Sequence, residues 1–114
     1  MTRFPHALAW RRHGAPCHYS GGLQLDENAL VLTGREPSTG LEVSLRIPDY
    51  AVRRLRWAHS DDESVVGVPG YVLELADAVP LFIRAVGVGR LHEEELGVAL
   101  SEALHLPLPE HAAA

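Results

Sequence analysis

Residues 84–100 read RAVGVGRLHEEELGVAL, with two glycines one residue apart where a strand-like run passes into a helix-like one. Dinucleotide-binding loops begin in this way, but that fingerprint needs a third glycine where this chain has His92, and a later parallel strand with an acidic residue about 20 positions on. Only 22 residues follow His92, and they hold a helical pattern, Pro107, Pro109 and an alanine tail. No βαβ unit can be completed. Gly87 and Gly89 therefore read as permissive backbone where the last strand turns onto a helix.

That helix is legible in its own right. Leu96, Ala99, Leu100, Ala103 and Leu104 recur at spacings of three and four, which makes one apolar stripe. Glu93, Glu94 and Glu95 fall in its first turn, where the helix dipole favours negative charge, and Pro107 and Pro109 end it soon after Leu106.

Strand patterns precede it. GYVLELAD and VPLFIRAV read as a hairpin turning near Asp77-Ala78, with Pro80 at a strand start or an edge because it lacks a backbone donor. AVRRLRW is a short strand that offers Val52, Leu55 and Trp57 for burial, and it runs into the polar loop HSDDES. LEVSLRI alternates Leu41, Val43, Leu45 and Ile47 with polar residues, the period of a strand with one buried face. Before the loop EPSTG, YSGGLQLDENALVLTG is a hairpin turning on Asp26-Glu27-Asn28. Residues 1–18, interrupted by Pro5 and Pro16, have no clear period and form an N-terminal segment of uncertain structure. The expected organisation is a β-rich domain over 19–106 and a tail over 107–114. Its class is α+β, mostly β: six strands, or seven if the N-terminal segment pairs, in two packed sheets or a partly open barrel capped by one C-terminal amphipathic helix.

The composition agrees with this. A chain of 114 residues, 46% hydrophobic and 22% charged, can bury a core without disulfides or a metal. The single cysteine, Cys17, cannot form an internal bridge, and no apolar run reaches the roughly 20 residues that cross a bilayer. Without a signal-peptide pattern at the N-terminus, the expected location is the cytoplasm. The net charge of -5 conceals an asymmetry: residues 1–60 carry eight Arg against five acids, and residues 61–114 two against ten. The halves can attract each other within one domain or between copies.

The stretches GGLQLDENALVLTG, LRIPDYAVRRLRW and the helix at 91–105, in that order, resemble the pleckstrin-homology superfold and its GRAM-type relatives. The resemblance spans residues 19–105 and lies in element order and hydrophobic pattern. It implies two nearly orthogonal antiparallel sheets with the helix plugging one open end, and a role in binding phosphoinositide headgroups, peptides or protein surfaces. Members that bind lipid grip phosphate with basic residues in the first hairpin loop. Here that loop is Asp26-Glu27-Asn28, acidic where phosphate demands positive charge, which argues against a phosphoinositide ligand.

Three clusters are candidate sites. Arg46, Arg53, Arg54 and Arg56 form the main basic group, and alternation places Arg54 and Arg56 on one strand face as a patch for an anionic partner; the plainer reading is a solvated face paired with Glu42 and other acids. Trp10, Arg11 and Arg12 precede the regular pattern and could be an interaction arm that docks on a second copy. His13, Cys17 and His18 could ligate zinc or form a thiol–imidazole pair, although the spacing H-x3-C-H matches no closed zinc pattern. Asp61, Asp62 and Glu63 read as solvated, mobile negative charge. Nucleic acid is disfavoured by the negative net charge and by aromatics at 6%. The expectation is a non-enzymatic binding or protein-interaction module without a cofactor, its partner another protein or a copy of itself. The alternative is a small enzyme or metal-dependent protein using His13, Cys17 and His18.

Overall fold

The computed structural model describes residues 2–87 and 90–109. In chain order it contains β1 (Thr2–Arg3), β2 (Leu8–Arg12), β3 (Tyr19–Asp26), β4 (Ala29–Arg35), β5 (Glu42–Pro48), β6 (Val52–Trp57), β7 (Tyr71–Leu75), β8 (Leu81–Ala85) and one helix, α1 (Arg90–Leu104). All eight strands are antiparallel and belong to one hydrogen-bonded sheet of order β5-β4-β3-β2-β8-β7-β6, with β1 also on β3 and no closure into a barrel. Strands β5 and β6, consecutive in sequence, are the two ends of that path.

The strand count exceeds the expected six or seven because residues 1–18 supply two strands. The second of them, β2, joins the two halves of the sheet, pairing Trp10 with Tyr19 on one side and with Ile83 on the other. Its pattern was obscure because Leu8, Ala9 and Trp10 are buried in succession. A strand covered on both faces has no alternation to display. Residues Tyr71–Leu73 of β7 and Leu81–Ile83 of β8 are buried consecutively for the same reason.

One face carries the main core, where Leu8, Trp10, Leu23, Leu32, Leu73 and Ile83 meet Leu96, Leu100 and Leu104 of the helix stripe. On the other face Ala9, Val72 and Phe82 form a smaller cluster with Ala58 and Val65, which the 58–70 segment folds back over the sheet. Two close approaches define the packing. Tyr71 donates its hydroxyl to the Glu93 carbonyl at 2.9 Å, and its ring tip lies against the bare backbone of Gly97. At the β3–β4 pair Gly21↔Gly34, a Cβ on Gly34 would sit 2.7 Å from that of Tyr19 and 3.1 Å from the Trp10 indole nitrogen, which donates to the Thr33 carbonyl.

Helix α1 ends in a Schellman arrangement: His105 adopts φ 55°, and the Leu106 amide donates to the Ser101 carbonyl at 3.1 Å. At its other end Gly89, one of the two glycines of the opening stretch, lies outside the described residues, as do residues 110–114 of the tail. Leu41, expected to point inward with the β5 alternation, precedes the strand and is 60% exposed. Among the described residues no helix is long and apolar enough to cross a membrane.

Candidate functional site

The four arginines of the predicted patch separate into two kinds. Arg56 is not on a solvated face: its side chain is only 14% exposed and is held by two carboxylates. Its guanidinium grips Glu63 in a bidentate pair, Nη1 to Oε1 at 2.8 Å and Nη2 to Oε2, while Nε donates to Glu74 across the β6–β7 pair at 2.5 Å. Glu63 also accepts the His59 amide at 2.7 Å. The Arg56 hydrogen bonds draw the Glu63 carboxyl down to about 2. The reading of Asp61, Asp62 and Glu63 as solvated charge is therefore corrected for Glu63, which pins the loop to the sheet; Asp61 and Asp62 are exposed.

Two arginines outside that patch share this work. Arg11 stacks over the Phe82 ring at 4.7 Å and donates to the carbonyls of Ser64, at 2.8 Å, and Asp62. Arg84 donates to the Val65 carbonyl at 2.8 Å. A loop folded onto a sheet face must satisfy its carbonyls without water, and long donors rising from that face do so. Nothing in the local sequence marks Arg11 or Arg84 for this role, because their partners lie 19 or more positions away.

Arg46 bridges to Asp26 at 3.3 Å. The Glu27 amide, and after it Arg46, hold the Asp26 carboxyl below its usual range. Glu42 pairs with Arg35 and not with the patch. Arg53 and Arg54 are different: both are exposed, and neither has an ion-pair or hydrogen-bond partner among the described residues. They border a groove of about 470 Å³ between β6 and the segment Leu106–Pro109, with Trp57 and His59 farther along it. Among the described residues strand β6 pairs only with β7, so it is an edge strand beside this groove.

The other candidates are not brought together. Trp10 is 2% exposed in the main core, so it cannot be part of a free arm, and Arg11 is bound to the loop; of that trio only Arg12 is exposed. His13 sets its ring edge-on to Phe82 at 5.8 Å, whereas Cys17 lies beside the Tyr19 hydroxyl, whose ionisation is pushed up mainly by burial. Among the described residues no three His, Cys, Asp or Glu side chains are grouped to hold a metal ion.

Sequence reasoning missed one juxtaposition entirely. His6 meets Glu95 at 2.5 Å and stacks on His92 with ring centroids 4.1 Å apart, while Phe4 packs edge-on against it. These contacts, from positions nearly 90 residues apart, tie the chain's start to the first turns of α1. His92 Nδ1 is buried without a hydrogen-bond partner among the described residues. No known protein-family model, curated protein or solved structure matches the chain.

Proposed function

We propose that this chain is a non-enzymatic, pleckstrin-homology-like interaction module whose contact site is the groove along β6, and that it takes an extended, acidic segment of a partner protein. The carrying observation is that Arg53 and Arg54 are exposed and without partners among the described residues beside an open strand edge. An edge strand supplies main-chain hydrogen bonds to an added strand, and flanking cations select acidic side chains and speed encounter. The superfold assignment, with its two-layer arrangement of the sheet, draws support from the sequential antiparallel strands β2–β8 followed by a single helix whose apolar stripe enters the core. The cations beside this groove belong to β6, whereas the first hairpin loop is acidic and its neighbour Arg46 is engaged by Asp26, which favours a protein segment over a phosphoinositide headgroup.

The test is fluorescence anisotropy with a labelled Glu-rich peptide and the double variant Arg53→Glu/Arg54→Glu, whose native side chains are exposed and form no ion pair among the described residues. The native chain should bind with strong salt dependence and the variant should lose at least about tenfold in affinity. Equal affinity of the two proteins, or binding only to anionic vesicles, overturns the proposal.

A further inference from the structure

A second cavity, of about 330 Å³, opens where β5 faces the β7–β8 hairpin. Its walls are Leu45, Ile47, Ala51, Leu75 and Leu81, and at its mouth Tyr50 is 85% exposed. The volume lies at the small end of the range for small-molecule sites, which pair an apolar body with a few placed polar groups.

Arg12 supplies the polar group. Side chains alternate along a strand, so Arg12 is on the same face of β2 as Leu8 and Trp10, the face that carries the main core. It is the last residue of that strand, opposite Leu81, and so stands at the cavity's border. Among the described residues its guanidinium has no ion-pair or hydrogen-bond partner, and its charge is felt by the Tyr19 hydroxyl. The other charged groups on the lining are Arg46, engaged with Asp26, and Asp77 on the hairpin. With Arg46 already neutralised by Asp26, Arg12 is the cation left unengaged at the border of an apolar hollow, with Asp77 as the one carboxylate on the lining. An anion without a hydrocarbon body would leave the walls wet, and an apolar body without charge would leave Arg12 unused.

We infer that this cavity binds a small amphipathic carboxylate, a free medium-chain acid, with its chain against Leu45, Ile47 and Leu75 and its carboxylate on Arg12. The site is independent of the β6 groove, which it shares no lining residue with.

Isothermal titration calorimetry on the full chain with octanoate, octanol and acetate separates the two halves of this recognition, and Arg12→Gln probes the charge. Octanoate should bind saturably, one per chain, at least about tenfold more tightly than either octanol or acetate, because a hydrogen bond to a charged group is worth about that factor. Arg12→Gln should erase the preference for octanoate over octanol while melting at the native temperature without ligand. Leu45→Trp, which fills the hollow, should abolish binding of both chain-bearing probes. Equal affinity for octanoate and octanol in the native chain, a preference that survives Arg12→Gln, no saturable binding, or uptake of acyl chains only from vesicles would each overturn the inference.

Discussion

Gly97 illustrates how a single hydrogen atom decides a contact. In a helix interior Ala is better than Gly by about 1 kcal/mol, so propensity alone recommends Gly97→Ala. A Cβ there, however, would fall within contact distance of the Tyr71 hydroxyl, on a ring that is buried and anchored to the Glu93 carbonyl. Burial, followed by Glu93 and Glu94, pushes that hydroxyl's ionisation up to about 12, so it remains a neutral donor at any working pH. Overpacking of this kind costs about 1–3 kcal/mol and should outweigh the propensity gain. Gly97→Ala is expected to lower stability by about 1–2 kcal/mol in urea denaturation. Adding Tyr71→Phe should recover part of that loss, since the nearest atom is then gone while the ring carbon Cζ, 2.7 Å away, still crowds the methyl; a single variant as stable as the native chain would show that the ring can move aside.

At the scale of the element, the 58–70 segment behaves as a second covering layer rather than as a loop. Val65 and Ala58 seal Phe82 and Val72, and Arg11, Arg56 and Arg84 fasten the backbone and Glu63 from the sheet side. At its tip Val66 and Gly67 both have positive φ, at 53° and 72°, between the paired residues Val65 and Val68. A β-branched residue is strained in that conformation, and the fastened base is what holds it there. Glu63→Gln should cost about 2 kcal/mol at neutral pH, the range for a hydrogen bond to a charged group.

The pH dependence follows from the direction of the Glu63 shift. Its folded carboxyl is held at about 2, against about 4.3 in an unfolded chain. The stabilisation is therefore complete above pH 4.3 or so and is lost as pH falls toward 2. Chemical denaturation of both proteins across this window should show the native chain losing its advantage, so that the two stabilities converge near pH 2. A difference that stays constant down the acid limb would mean that Glu63 acts by packing alone.

At the scale of the whole molecule, the charge asymmetry is partly resolved within the chain. Arg56 of the basic half is paired with Glu63 and Glu74 of the acidic half, and His6 with Glu95. The same interleaving makes the N-terminus structural. Among the described residues strand β2 is the only element that joins β3 to β8, and Phe4 bonds through its amide to the Leu23 carbonyl at 2.9 Å. Removing residues 1–12 takes away Leu8 and Trp10 from the core and splits the sheet in two. That truncation should abolish the cooperative thermal transition and the near-ultraviolet circular dichroism of the buried aromatics. A truncated chain that still melts cooperatively at the native temperature would mean that β3 and β8 can pair directly.

The elements whose burial is one-sided could be read from the sequence by itself. The period of 3.6 in α1 and the period of 2 in β5 are imposed by a single wet face, which leaves its mark residue by residue. The arginines of β6 were legible as a cluster for the same reason. Which of them is free was not, since Arg56 takes its partners from β7 and from the folded-back loop, whereas Arg53 falls at the register shift between Val52 and Arg54 and both Arg53 and Arg54 are exposed. Only the tertiary structure decided that β2 is central, that Trp10 is core, that Glu63 is a fastener, and that Arg12 stands at the border of an apolar cavity. Each of these depends on contacts between residues far apart in the chain. Such contacts leave no local period: a strand covered on both faces shows only a short apolar run, and a charge gains its meaning from whatever the fold sets opposite it.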